Sequence, residues 1–282
     1  MRTLKYCSLN GKFFQSNKSV LTIQNRSFRY GDGLFETMRA NGKEVFFFEN
    51  HLERLMSGMK ILKMKVPLSL NISNLRYEIN SLFDKNHYYQ GARVRLSVFR
   101  NEGGYYTPIT NEISYLIEIE KLSTSYYELN AKGLIIDFYS EIYKSHNKFA
   151  NIKSNNAQLF VLAGIYKTEK GLDDCIIQNS SENIVETISS NIFFVVGDKI
   201  FTPNIQSGCV NGVMRKQIIS IAKSRFEVIE TELNENICME AEEVFITNAI
   251  QGINWVMGLG QKRFFSKISR LLISELNNKL NF

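Results

Sequence analysis

Apolar residues change their spacing several times along this chain, and that change restricts the fold more than any other feature. Between residues 52 and 62 they recur at helical spacing, whereas residues 45–48 form a short apolar run that is typical of a strand. Similar changes occur in both halves, and 282 residues are enough for two modest domains. We therefore expect an α/β (α+β) protein with a smaller N-terminal domain over residues 1–120 and a larger, strand-rich domain over residues 121–282.

Turn residues divide the chain into further elements. The dipeptides Asn10-Gly11 and Asn41-Gly42 predict two hairpins, the first within strand-like sequence that extends to Ile23. The other strands are predicted at residues 92–100, 113–120, 133–138, 175–178, 184–186, 192–196, 199–202, 227–232 and 244–247. Helices are predicted from His51 to before Pro67, at residues 70–83, 156–170 and 212–223, and around residues 268–276. The pair Gly258-x-Gly260 lacks the strand–helix context of a dinucleotide fingerprint.

The composition excludes several classes of function. Apolar residues make up 44% of the chain and charged residues 22%, which is typical of a globular protein, and no run approaches membrane-spanning length. The N-terminal stretch MRTLKYCSLNGKFF lacks the apolar core of a signal peptide, so we expect a cytoplasmic protein without a membrane partner. Four scattered cysteines and three dispersed histidines indicate neither a disulfide framework nor a metal site.

The net charge of +6 suits an anionic cofactor, a small anionic substrate or nucleic acid. The basic residues are spread along the chain, without a basic tail or an RNA-binding aromatic signature. We therefore expect a small-molecule anionic substrate and no nucleic-acid partner.

The segment FANIKSNNAQ places Lys153 at a transition from strand to helix. A partly desolvated lysine can present a neutral amine that forms a Schiff base or moves protons. Taken alone, the segment favours the simpler explanation of a lysine whose charged end reaches water.

Three further segments combine polar or small residues with the end of a strand or the start of a helix. Glu186, in IVETISSNIFFV, would suit the ring nitrogen of a heterocycle, or else a turn. Asn211-Gly212 begins a helix whose first N–H groups would bind a phosphate, or else are simply capped. Thr247-Asn248-Ala249 would bring backbone donors to a ligand, or else form a structural turn. Together the four segments supply what pyridoxal 5'-phosphate requires from a protein.

Six blocks in order, YGDGLFETMR, HLERL, NIKSNN, VETISSNIF, VNGVMR and FITNAI, resemble the class-IV aminotransferase family of fold-type IV pyridoxal-phosphate enzymes. The resemblance covers roughly Leu9 to Trp255. This family includes branched-chain aminotransferases, D-amino-acid aminotransferases and 4-amino-4-deoxychorismate lyases. The resemblance implies a D-amino-acid aminotransferase-like fold of two domains, with the cofactor in the interdomain cleft, and a homodimer.

The resemblance also implies roles for individual residues. Lys153 would be the Schiff-base lysine and the general base, Glu186 would bind the ring nitrogen of the cofactor, and Arg54 would bind its phosphate. The other implied cofactor contacts are the N–H groups of Val213 and Met214 at the phosphate, Asn248 and Ala249 on its other side, and Val210 on the ring.

Within the family, VNGVMR, TNAI and Thr37 are similar to the lyase, in which a threonine is suited to protonate the departing enolpyruvate. Arg95 and Arg100 would meet the two substrate carboxylates, although strand alternation predicts that they lie on opposite faces. Tyr30, Tyr105 and Tyr106 are further candidates for the wall of the substrate site, or else they simply pack.

The motifs thus favour conversion of 4-amino-4-deoxychorismate to 4-aminobenzoate and pyruvate, a step of folate precursor synthesis. The alternative is a class-IV aminotransferase that acts on branched-chain or D-amino acids with a 2-oxo acid acceptor. Gln158 lies where branched-chain aminotransferases carry a tyrosine, which weakens that branch of the alternative.

Overall fold

The computed structural model describes residues 5–281, so the first four residues and the last residue of the predicted domains lie outside the described part. The chain divides into two compact units. The first unit extends to Tyr126 and takes in Ile152–Asn156, and the second contains Tyr127–Asn151 and the chain from Ala157 onward. The first unit therefore ends six residues beyond the predicted boundary at residue 120 (126 minus 120).

The position of Lys153 differs from the prediction, which assigned this residue to the C-terminal domain. Its segment belongs to the first unit instead. The N–H of Phe35 donates to the carbonyl of Lys153 at 3.0 Å, and the N–H of Asn155 donates to the carbonyl of Gly33 at 2.9 Å. These bonds join sequence-distant backbone, which a local pattern does not reveal.

The first unit is built on a six-stranded sheet in the order β2-β1-β6-β5-β3-β4, in which every neighbouring pair is antiparallel. Its elements are β1 (Tyr6–Leu9), β2 (Lys12–Gln15), α1 (Arg26–Tyr30), β3 (Gly33–Asn41), β4 (Glu44–Val45), α2 (Phe48–Ile61), α3 (Ile72–Asn86), β5 (Gly91–Arg100) and β6 (Ile113–Lys121).

The two faces of this sheet differ in character because side chains alternate along each strand. One face is apolar and fully buried, with Met38, Val94 and Ile117 in a core that also contains Leu55 and Met59 of α2. The opposite face carries half-buried polar side chains and is called the open face below. It includes Phe35, Thr37, Arg93, Arg95, Ser97, Glu118 and Glu120.

Both predicted hairpins are confirmed, with Asn10, Gly11 and Gly42 at positive φ in the turns. Two strand predictions were too long. The first hairpin ends at Gln15 and not at Ile23, and the apolar run at residues 45–48 passes into α2 after β4. Burial in the core explains that apolar run without a strand.

The second unit contains a nine-stranded sheet in the order β12-β11-β10-β13-β14-β7-β8-β9, with β15 paired to β14. Its elements are β7 (Leu134–Lys144), α4 (Gln158–Glu169), β8 (Asp174–Asn179), β9 (Ile184–Thr187), β10 (Asn191–Val196), β11 (Lys199–Pro203), a 3-10 turn (Ile205–Ser207), α5 (Val213–Ala222), β12 (Glu227–Thr231), α6 (Asn236–Glu240), β13 (Glu243–Asn248), β14 (Gly252–Leu259), β15 (Lys262–Arg263) and α7 (Lys267–Lys279).

The longest element missing from the sequence prediction is β14, which lies between β13 and β7. Its glycines at 252 and 258 obscured the apolar pattern of residues such as Ile253 and Val256, which are fully buried. Gly258 lies within this strand and Gly260 in the turn to β15, as expected of a pair that is not a dinucleotide fingerprint. The helices of residues 5–281 include none with the length and apolar character needed to cross a bilayer.

Candidate active site

Three charged or polar side chains of the first unit form a buried cluster beneath its sheet. Glu36 lies on the apolar face of β3 and is 1% exposed. Its carboxylate accepts hydrogen bonds from Nδ1 of His51 and from Nε of Arg54, each at 2.7 Å, and also from Nη2 of Arg54. His51 and Arg54 are three residues apart on α2, which brings them to the same side of the helix. The cluster therefore fixes the position of the Arg54 guanidinium.

The charges of this cluster depend on one another. Burial alone would raise the pKa of Glu36, but the Arg54 charge and the hydrogen bonds from His51 and Arg54 lower it from 4.5 to about 2. Burial lowers the pKa of His51 below its usual 6.5, although Glu36 opposes this effect. Glu36 is therefore ionised and His51 neutral at pH 7. With Nδ1 donating to Glu36, the buried Nε2 of His51 has no hydrogen-bond partner among the described residues.

Lys153 and Arg95 both lie against the ring of Phe35 on the open face of the first unit. The Lys153 Nζ lies 4.6 Å from the ring centroid of Phe35, and the Arg95 guanidinium carbon lies 3.9 Å from the same centroid. Thr37, two residues beyond Phe35 on β3, pairs directly with Arg95 on β5. An amine and a guanidinium therefore lie against one aromatic ring, and a hydroxyl-bearing residue on the same face pairs with the arginine. A small pocket on this unit is lined by Leu34, Phe35, Glu36, Arg54, Leu55, Gly58 and Lys153.

Arg95 retains donor capacity for an anion. Its Nε donates to Oγ of Ser97 at 3.1 Å, and no carboxylate within residues 5–281 lies close enough to form an ion pair with it at 4.0 Å. Burial lowers the pKa of Arg95, with Arg93 contributing and the carboxylates of Glu118 and Glu120 opposing. A partly desolvated guanidinium with unused donors is suited to a carboxylate ligand.

Arg100 does not share this environment, and its predicted role in substrate binding needs correction. It is 6% exposed, and its Nε donates to Asp32 at 3.0 Å while its Nη2 donates to the carbonyl of Leu62 at 2.7 Å. The Nη1 of Arg100 donates to Asn111. As strand alternation predicted, it lies on the face opposite to Arg95. Its guanidinium serves the structure of the unit.

The predicted tyrosine wall is only partly assembled. The rings of Tyr30 and Tyr106 lie 5.6 Å apart, and the Tyr30 ring also contacts the guanidinium of Arg26. Tyr105 and Tyr106 are 76% and 91% exposed. Tyr30 is therefore the only half-buried member of the three.

In the second unit, Glu186 on β9 is 3% exposed and has two partners. Its Oε1 forms an ion pair with Nζ of Lys144, and its Oε2 accepts the N–H of Val210 at 3.0 Å. Val210 was predicted to pack on the cofactor ring, and the structure adds this backbone contact. The carboxylate is thus held by a side chain from β7 and by the segment before α5.

The start of α5 has uncapped backbone N–H groups and a glycine against which the Asn191 side chain packs closely. Gly212 is its N-cap and no side chain caps the helix, so the N–H groups of the first turn, including those of Val213 and Met214, have no partner within the helix. A Cβ at position 212 would lie 1.9 Å from Oδ1 of Asn191. Nδ2 of Asn191 in turn donates to the carbonyl of Val210 at 3.0 Å.

We expect the Gly212→Ala substitution to destabilise the protein by about 1–3 kcal/mol, because the new methyl group displaces Asn191 from its bond to Val210. Urea unfolding measures the change. The matched control is Gly164→Ala within α4, where a Cβ would meet nothing within 4 Å among the described residues. The control should be neutral or should stabilise by about 0.5–1 kcal/mol. Equal effects of the two substitutions would contradict the close approach at Gly212.

The segment after β13 forms a turn, as one of its two interpretations predicted. Oδ1 of Asn248 accepts the N–H groups of Ile250 and Gln251 at 3.0 and 2.8 Å, and the carbonyl of Ala249 accepts the hydroxyl of Tyr127 at 2.9 Å. Nδ2 of Asn248 donates to Oγ of Ser190. The side chain of Asn248 therefore shapes the turn. Backbone groups and the buried Oγ1 of Thr247, which has no hydrogen-bond partner among the described residues, remain for a ligand.

Sequence reasoning missed Glu36, His51 and Lys144. Glu36 was detectable, because it shares one side-chain face with Leu34 and Met38 in the segment before the predicted Asn41-Gly42 turn, and a lone carboxylate on an apolar face needs a partner. Lys144 gave no signal, since the predicted strand ended at residue 138 whereas β7 continues to residue 144.

Comparison with known proteins gives one consistent family. The family model described as amino-transferase class IV matches residues 33–256, more than half of the chain. The aminodeoxychorismate lyase of Bacillus subtilis is 27% identical over 259 residues, which cover 86% of this chain and 82% of that protein. A Methanocaldococcus jannaschii protein with a provisional branched-chain-amino-acid aminotransferase name is 26% identical over 253 residues, covering 85% of this chain and 82% of that protein.

A solved structure has the same fold. The T.th. branched-chain amino acid aminotransferase complexed with N-(5'-phosphopyridoxyl)-L-glutamate superimposes with a TM-score of 0.87 at 19% identity, covering 97% of this chain and 93% of that one. The predicted mixed α/β fold is confirmed by this similarity. With the family model spanning both units, the chain belongs to the amino-transferase class IV family of pyridoxal-phosphate-dependent enzymes.

Proposed function

We propose that this enzyme is a lyase that converts 4-amino-4-deoxychorismate to 4-aminobenzoate and pyruvate. The observation that carries the proposal is the pairing of Thr37 with Arg95 on the open face, beside the ring that Lys153 contacts. A lyase needs a group that protonates the departing enolpyruvate in addition to an amine base and a carboxylate ligand. The hydroxyl of Thr37 supplies that third group.

Pyridoxal 5'-phosphate fits the residues present. Lys153 would hold it, Arg54 and the uncapped start of α5 would bind its phosphate, and Glu186 would face its ring nitrogen. The uncapped N–H groups at the start of α5 and the fixed Arg54 guanidinium support this assignment, as does the phosphopyridoxyl group bound to the similar T.th. aminotransferase. When bound, the cofactor supplies an electron sink for negative charge at the substrate carbon that carries the amine.

Side chains of this protein would carry out the proton transfers and bind the substrate. The Nζ of Lys153 would take the proton from that carbon, and the Phe35 ring beside it would limit the access of water. The guanidinium of Arg95 would bind a substrate carboxylate. As the C–O bond between the substrate ring and its enolpyruvyl group breaks, the Oγ1 of Thr37 would donate a proton to the methylene carbon of that group, so that it leaves as pyruvate. The ring, which has lost its proton to Lys153, becomes aromatic, and Thr37 regains a proton from water. Phe35 would keep the charged groups apart and exclude water.

An aminotransferase is the second candidate, and one observation favours it. Because Arg100 is engaged by Asp32, Arg95 is the one of the two predicted arginines that faces the open side, and a single guanidinium suits the single α-carboxylate of an amino acid. The purified enzyme should be incubated with 4-amino-4-deoxychorismate alone, and separately with branched-chain or D-amino acids and 2-oxoglutarate. Release of 4-aminobenzoate and pyruvate without an acceptor supports the lyase, whereas glutamate formation alone overturns it.

The Thr37→Val substitution should lower the rate of 4-aminobenzoate formation by about 10²–10⁴-fold, because it removes the proton donor without changing the volume much. The absorbance of the bound cofactor should not change. Thr37→Ser retains a hydroxyl and should keep most of the rate. A Thr37→Val enzyme with at least a third of the wild-type rate would contradict the role of this hydroxyl.

We also propose that the enzyme is a cytoplasmic homodimer. The dimer is supported by helix α4. Its apolar side chains Val161, Leu162 and Ile165 are 43–59% exposed and would be covered by a second copy. Light scattering should give twice the chain mass of 32.5 kDa, and a monomer at micromolar concentration would contradict the dimer.

A further inference from the structure

We propose that Lys144 is a positioning residue, which holds the Glu186 carboxylate in the orientation that receives the ring nitrogen of the cofactor. This inference rests on the proposed cofactor assignment and extends it to a residue outside the family blocks. Lys144 is the last residue of β7 and is 8% exposed. A lysine is seldom buried to this degree without a partner for its charge.

The ammonium group of Lys144 is held by two acceptors. Its Nζ donates to the carbonyl of Ala150 at 2.8 Å and to Oε1 of Glu186. It also lies 5.6 Å from the ring centroid of Phe160 on α4. The turn at Ala150, strand β9 and helix α4 therefore define the position of the Lys144 ammonium group.

An irregularity in β7 brings Lys144 to this place. Tyr139 pairs with Ile177 on β8, and Lys144 pairs with Asn179. Five residue steps along β7 therefore correspond to only two steps along β8. Such a bulge changes the direction of the side chains that follow it. Ile177 in turn pairs with Glu186 on β9, so the cation and the carboxylate reach each other across β8.

The pair leaves Glu186 able to accept a further hydrogen bond. A carboxylate has about four lone-pair sites, and the structure uses one on each oxygen, Oε1 for Lys144 and Oε2 for the N–H of Val210. The remaining lone pairs would be turned toward a third donor by these two fixed contacts. Without Lys144, Oε1 loses this fixed donor, so the carboxylate is free to rotate away from the orientation that receives the ring nitrogen.

The test compares Lys144→Met with Lys144→Arg, which retains the charge, and with Lys148→Met, an exposed lysine of the same segment as the matched control. The dissociation constant of pyridoxal 5'-phosphate is measured on the full-length protein by equilibrium dialysis. We expect Lys144→Met to weaken binding by about 10–100-fold, the usual effect of losing a hydrogen bond to a charged group. Lys144→Arg retains the positive charge and should weaken binding less than Lys144→Met, even though the guanidinium is larger than the ammonium group. Lys148→Met should match the wild type.

A second readout separates positioning from a merely structural role. The absorption band of the bound cofactor at saturation should shift or lose intensity in Lys144→Met and return in Lys144→Arg, because the band reports the protonation of the ring. If Lys144→Met does not fold, Lys144→Gln takes its place in both measurements. Unchanged binding and an unchanged band in the folded variant would overturn the proposal, as would equal losses in the Met and Arg variants. A wild-type protein that does not bind the cofactor would overturn both this inference and the proposed function.

Discussion

Replacing Lys153 with alanine should lower the turnover of the enzyme by about 10³-fold or more and remove the violet absorption band of the bound cofactor. The substitution deletes the amine that approaches Phe35 from the open face. It leaves the backbone contacts of the segment intact, because Phe35 bonds to the carbonyl of residue 153 and not to its side chain. Absorbance spectra and product formation measure the two effects on the same sample.

The matched control for this substitution is Lys148→Ala, which removes an exposed lysine five residues earlier. The control should keep both the absorption band and the turnover. A Lys153→Ala protein that retains the band would show that another amine carries the cofactor, and the assignment of Lys153 would then be wrong.

Replacing Glu36 with alanine should lower the free energy of unfolding at pH 7 by about 3–5 kcal/mol, since one partner of a buried ion pair is removed. Arg54 would keep its charge with only 10% of its side chain exposed, and Nδ1 of His51 would lose its acceptor. Urea unfolding of the apo protein measures the loss. The matched control is Glu44→Ala on β4, an exposed carboxylate of the same unit, which should change stability by less than about 0.5 kcal/mol.

The same cluster predicts how stability depends on pH. His51 has a lowered pKa in the folded protein, so the unfolded chain binds a proton more readily and stability falls as the pH drops below 6.5. The pKa of Glu36 is also lowered, from 4.5 to about 2, and its contribution is present above pH 4.5 and lost as the pH falls toward 2. As the pH falls from 4.5 to 2, the free energy of unfolding of Glu36→Ala should therefore decrease less than that of the wild type. Parallel curves in that range would contradict the ion pair.

The sequence predicted the type of most elements because hairpin dipeptides and spacing are local. It could not assign Lys153 to a unit, since the bonds that do so join residue 153 to residue 35. Side-chain alternation along the strand predicted that Arg95 and Arg100 lie on opposite faces. The hydrogen bond from Arg100 to Asp32 was not predictable, because it depends on the fold.

The candidate site was predictable to different degrees for a similar reason. Lys153 read in isolation resembled a surface charge, and only its combination with Glu186, Gly212 and the family blocks indicated chemistry. Lys144 had no such support, because its position depends on a bulge between β7 and β8 that no local pattern marks. The positions of Lys153 and Lys144 depend on contacts between strands that are distant in sequence, and such contacts cannot be deduced from a single sequence.

The buried cluster of Glu36, His51 and Arg54 has a consequence for how quickly the apo protein acquires its cofactor. Glu36 orients the Arg54 guanidinium through a contact within the protein, so capture of a phosphate needs no reordering of that side chain. Preorganisation of this kind removes an entropic cost from binding. Cofactor loading should therefore consist of a bimolecular encounter followed by covalent attachment, without a slow step that reorders Arg54.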